Sequence, residues 1–144
     1  MNKTLLYRLF GVGAIPEAVR PALEQEGILL VDEGIGVAVA YRDFRAPGKR
    51  FHRKRTWYSG AVVLTTVRIA GYVYGSPVMD LPRDDARMQQ ITWSVDDKGR
   101  LNAQWDVSLF HDDWSGTMGC RFSTALAGQF LQALTADGPT GAGG

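Results

Sequence analysis

The sequence predicts a mainly β domain: about seven antiparallel strands curled into a small barrel or bent sandwich, with one or two short helices before them and one closing helix after. Three observations carry this. From Ile28 onward, apolar residues recur at every second position in successive segments, the period of half-buried strands. Turn-forming residues interrupt those segments at short intervals, most clearly in Asp96-Asp97-Lys98-Gly99-Arg100. Near the end the period changes, and Leu126, Phe130 and Leu134 recur every four residues, with Leu131 widening the stripe.

Taken in order, residues 2–10 place Leu5, Leu6, Leu9 and Phe10 at helical spacing, and Gly11 and Gly13 end the run. A second short helix is expected from Pro16 to about Gln25, with Pro21 interrupting it and Gly27 as its stop. The first strand follows Ile28, with Val37, Val39 and Tyr41 alternating with Ala38, Ala40 and Arg42. After a basic loop, the segment 56–66 reads as a long strand in which Gly60 marks a bulge or bend. The next strand alternates Arg68, Ala70 and Tyr72 with Ile69, Gly71 and Val73, and a short one between Pro77 and Pro82 belongs at an edge. Ile91, Trp93 and Val95 face one way, as do Leu101, Ala103, Trp105, Val107 and Leu109 across the turn at Gly99. The last strand carries Met118, Cys120 and Phe122 in register, and Ser123 or Thr124 caps the closing helix. Residues 1–26 thus read as a helical extension, 27–135 as the domain and 136–144 as a Gly/Pro-rich disordered tail. The exposed-apolar cost of the first helix suits self-association or a membrane surface.

At 144 residues, 45% apolar and 22% charged, the chain is sized and composed for one globular domain with a proper core. The N-terminal apolar stretch is broken by Arg8, so it reads as part of the mature protein and not as a signal peptide. A single cysteine excludes an intramolecular disulfide and suits a reducing, cytoplasmic setting. The net charge of +1 hides an asymmetry: residues 42–55 carry +6, and the rest of the chain −5. A general nucleic-acid binder needs a more basic surface than this, so any anion affinity is local.

That local candidate is Arg42, Lys49, Arg50, Arg53 and Arg55. Arginine forks grip phosphate oxygens in bidentate fashion, and a polybasic loop can instead rest above an anionic leaflet. A strand would put Arg53 and Arg55 on one face and Lys54 on the other. An exposed hairpin whose charges discourage edge-to-edge association accounts for the same residues. Phe44, Phe51 and Trp57 interleave with the charges as base-stacking or membrane-inserting residues would, and equally as the ends of core strands.

Gly60, Leu64, Thr65, Arg68 and Ile69, with the later Met79-Asp80-Leu81-Pro82, resemble the second-to-third-strand hairpin and following step of bacterial pleckstrin-homology-like (PH-like) and GRAM-like domains. The resemblance covers roughly residues 27–135. It implies a PH-like barrel of about seven strands in two curved sheets capped by the C-terminal helix. It also implies a phosphate site in the loop between the first two strands, where Lys49 with Arg53, Lys54 and Arg55 meets the family pattern loosely. Lys49 departs from it by lying beside Pro47 and Gly48 instead of on the first strand.

The remaining motifs argue against catalysis. His111-Asp112-Asp113-Trp114 reads as an exposed turn, since three consecutive ligands cannot converge on one ion unaided and His52 is the only other histidine. Cys120 alternates with buried neighbours and reads as a small hydrophobe. The glycine runs at 11–13 and 34–36 lack the context of a nucleotide loop. The expectation is a non-catalytic binding or interaction module without metal or cofactor, whose partner is a protein or an anionic membrane surface. The alternatives are a barrel holding an apolar ligand, with a cavity of several hundred Å³, and a small enzyme using His111, Asp112 and Asp113.

Overall fold

Alternating apolar residues build seven strands in the computed structural model, which describes Lys3 and residues 13–136. They are β1 (Ile28–Ala46), β2 (Lys49–Thr65), β3 (Arg68–Val73), β4 (Ser76–Pro82), β5 (Thr92–Val95), β6 (Leu101–Asp106) and β7 (Ser115–Phe122). Among the described residues two helices accompany them, α1 (Arg20–Glu26) and α2 (Ala127–Ala136). Apart from Lys3, the helix expected over residues 2–10 lies outside the described residues, as does the tail beyond Ala136.

All seven strands join one antiparallel sheet, in the order β4-β3-β2-β1-β7-β6-β5, curled into a half-barrel. The sheet is continuous because β1, at 19 residues, pairs with β2 along its length and with β7 from Val37 to Arg45. Gly60 pairs with Ile35, next to the β1–β2 register shift between Glu33 and Ile35, and with Val73 on the other side. A Cβ on Gly60 would stand 2.0 Å from the Tyr72 carbonyl oxygen, so only glycine lets β2 and β3 come this close.

The inner face carries the main core, in which Val37, Val62, Leu64, Ile69, Leu101 and Phe122 are fully buried. Phe130 and Leu134 of α2 close over it. Thr124 starts that helix: its hydroxyl accepts from the Leu126 N–H and donates to Asp32 of β1, tying the helix entry to the sheet. Trp105, Phe122 and Phe130 are buried, while Trp93 is half-buried with its indole N–H enclosed and unpartnered among the described residues.

A second, smaller cluster covers part of the outer face, where Ile15 and Leu23 seal Ala61, Val63, Ala70 and Tyr72. Arg68 of β3 pairs with Glu26 of α1 and, at 3.2 Å, with Asp80. Arg20 pairs with Glu33 at 2.8 Å. Burial alone would raise the Glu33 carboxyl, but hydrogen bonds from Arg20 and the Ile15 amide outweigh it and hold it below its ordinary value. In the same way the Arg68 hydrogen bond lowers Glu26.

Three boundaries differ from the sequence expectation. Helix α1 begins at Arg20, because Pro21 sits in its first turn, where a missing N–H costs nothing, and so opens the helix where interruption was expected. β6 stops at Asp106, whose carboxylate accepts the Ser108 N–H and turns the chain into a 3-10 turn at Val107–Leu109. Residues Ala86–Gln90 likewise form a 3-10 turn capped by Asp85 ahead of a short β5.

Candidate anion-binding face

The basic stretch is not a loop. Arg42 and Arg45 lie on β1, the other five basic residues lie on β2, and only Pro47 and Gly48 connect the strands. Gly48, at φ 75°, supplies the left-handed turn, and Phe44 stacks on its cross-strand partner Phe51 with centroids 5.6 Å apart. Aromatic pairing and a tight turn therefore extend the ladder through the charges.

Strand pairing then fixes which side chains meet on the outer face. One row runs Arg53–Arg42–Thr117–Asp106, the next Arg55–Ala40–Gly119–Gln104–Thr92, and the third Trp57–Ala38–Arg121–Asn102–Ser94. Ala38, Ala40 and Gly119 make a low floor. Arg42, Arg53, Arg55 and Arg121 stand around it, with Asn102, Gln104, Thr92 and Ser94 opposite, lining a concavity of about 510 Å³. Trp57, 56% exposed, shares the third row.

The charges in this trough are poorly compensated. No ion pair or hydrogen bond among the described residues engages the guanidinium of Arg42, Arg53 or Arg55. Arg121 is held in place, donating to the Asn102 side-chain oxygen at 3.1 Å and approaching Asp96 at 3.6 Å. Its pKa is nonetheless lowered, first by burial and then by Arg100 and Arg55. Asp96 is already committed: it accepts the Arg100 and Lys98 amides and the side chains of Asn102 and Arg100, which hold it well below the usual carboxylate range. The face can therefore accept an anion by donating from several guanidinium forks at once.

Of the five residues singled out in the sequence, the fold brings Arg42, Arg53 and Arg55 together. Lys49 and Arg50 lie at the hairpin end, Arg50 opposite Arg45, and neither lines the trough. Arg121 was missed. Its alternation with Cys120 and Phe122 puts it on the outer face, but only the β1–β7 pairing brings it beside Arg55.

His111 stacks on Trp114 at 3.6 Å, and Asp112 and Asp113 are exposed. No three His, Cys, Asp or Glu side chains stand together among the described residues in a way a metal could use. Cys120 is buried, and burial pushes its thiol up to about 12 from an ordinary 9.0. The thiolate is the nucleophile, so the native chain should resist Ellman's reagent at mildly alkaline pH, while the denatured chain reacts with one equivalent. Fast reaction of the native chain would contradict this burial. By linkage, the neutral thiol's contribution to stability is complete below about 9 and is lost as pH rises towards about 12.

Among the described residues no helix is long and apolar enough to cross a membrane. Compared with known proteins, the chain matches no family model, no curated protein and no solved structure.

Proposed function

We propose that this chain is a non-catalytic, PH-like binding module that holds a phosphate-bearing ligand on the outer face of its sheet. The observation that carries this reading is the convergence of Arg42, Arg53 and Arg55, without ion-pair partners among the described residues, beside a positioned Arg121. Repulsion among these cations makes the empty face less favourable and an anion the natural partner. Each charged hydrogen bond formed there contributes about 1.5–3 kcal/mol.

Support for the PH-like part comes from a long first strand shared by both flanks of a curled seven-stranded sheet and a C-terminal helix closing the inner face. The family resemblance located the phosphates in the first inter-strand loop. The two-residue turn leaves no such loop, and this reading moves the site onto the strands. The ligand chemistry is a phosphate ester, either on a lipid headgroup at an anionic membrane surface or free in a cytoplasm.

Co-sedimentation with phosphatidylserine, phosphoinositide and neutral vesicles, run beside calorimetry with soluble inositol hexakisphosphate, separates the two sources. Binding to at least one anionic probe is expected, weakening with salt. The double change Arg53→Ala, Arg55→Ala should reduce it about tenfold or more. Absence of binding to every anionic probe at low salt would overturn the reading.

A further inference from the structure

The inner face has an opening of its own, beside the β1–β2 hairpin and the turn after β6. A cavity of about 270 Å³ lies there among aromatic side chains. Tyr41, Phe44 and Phe51 come from the hairpin, and Trp105, Phe110 and Trp114 from β6 and the segment that follows. Phe44 and Trp114 meet edge to face with centroids 5.5 Å apart, joining the two groups.

Two unusual backbone positions put Phe44 in this place. Val37, Val39 and Tyr41 point to the core, so strict alternation would turn Phe44 outward. Asp43 instead adopts φ 50°, and the register of β1 against β7 slips by one between Arg42 and Arg45. This bulge returns Phe44 to the inner side, 3% exposed, with Tyr41 at 4.9 Å. Gly116, at φ 107°, makes the bulge possible, since a Cβ there would stand 2.5 Å from the Asp43 carbonyl oxygen. A left-handed non-glycine residue facing a left-handed glycine is a costly arrangement, of the kind concentrated at binding sites.

Lys49 and His111 line the cavity, and Lys49 is the side chain there that is always positively charged. Lys49 is exposed and takes part in no ion pair among the described residues. Lys54 lies over the Phe51 ring at 4.3 Å and adds to the positive potential nearby. The acids of the adjoining turn, Asp112 and Asp113, are exposed and do not line it. The volume is just under the ~300 Å³ at which small-molecule sites begin, which sets the size of the guest.

We propose that this cavity binds a small organic carboxylate with an aromatic or branched apolar body. The body sits among the rings of Tyr41, Phe44, Trp105 and Trp114, and the carboxylate meets the Lys49 ammonium. The arginines of the outer face do not line this cavity, so either site can fail without the other.

The test uses the full chain and two probes, phenylbutyrate and its uncharged analogue phenylbutanol, followed by saturation-transfer NMR and by tryptophan fluorescence. Phenylbutyrate should bind more tightly than phenylbutanol. Lys49→Met should weaken phenylbutyrate about tenfold, the worth of one charged hydrogen bond, and leave phenylbutanol unchanged. Arg45→Met, on the same hairpin but off the cavity lining, should alter neither. Both variants change exposed side chains, so folding is not at stake. No binding of phenylbutyrate at millimolar concentration, equal affinity for the two probes, or an unaltered affinity in Lys49→Met would each overturn the proposal.

Discussion

Replacing Phe122 with alanine is expected to destabilise the chain by about 3–5 kcal/mol, a large share of a domain's total stability. Phe122 ends β7, pairs with Val37 and Leu101, and is fully buried where the two flanks of the sheet face α2. Its ring lies over Gly71 of β3, so closely that a Cβ there would stand 2.8 Å from the ring. Gly71 has no side chain that could move into the space left by the truncation. The cavity therefore stays open, and the cost falls at the upper end for a phenylalanine. Urea denaturation should show a lower midpoint with an unchanged slope. A loss below about 1 kcal/mol would mean that α2 and the sheet collapse into the gap, and that the packing described for this core is wrong.

Gly60→Ala should be nearly as harmful, at about 3 kcal/mol, although it adds one methyl group. The obstruction at 2.0 Å is the Tyr72 carbonyl, and Val37 crowds the same point at 2.9 Å. Side-chain rotation can relieve the second contact but not the first. The backbone of β2 or β3 must move, and the ladder from Gly60–Val73 to Leu64–Ile69 loosens with it. Amide hydrogen exchange should accelerate at Val62, Leu64, Ile69 and Gly71 well before it does in β6 and β7. Unchanged protection along β3 would refute the close approach of these strands.

Much of this architecture is written in local pattern. The alternation of Val37, Val39 and Tyr41, the four-residue recurrence in α2 and the glycine at 99 each act within a few residues, so period and turn chemistry reveal them. The missed features depend on long-range pairing or on a single torsion. Phe44 is legible as the end of a core strand and is buried there, but the Asp43 bulge that turns it inward is announced by nothing in the composition of the segment. Arg121 joined no candidate set, because its neighbours across β1 are decided by strand order and not by sequence distance. The basic stretch was misplaced for a related reason: charge density suggests a loop, whereas Phe44 and Phe51 hold the strands together beneath it. Pro21 shows the same limit, since its effect depends on where the first helical turn begins.

The account stands or falls on an address for positive charge, and two charge-matched variants test it directly. Arg53→Glu with Arg55→Glu and Arg45→Glu with Arg50→Glu make the same change in net charge on the same exposed hairpin. The first pair faces the trough with Arg42 and Arg121, and the second lies outside it. Measured against the anionic probe that the unaltered chain binds, at fixed salt, the first variant should lose binding. The second should retain most of it, reduced only by screened long-range repulsion. Equal losses in the two would show that the chain senses anions by overall charge and that the arginine face is not a site.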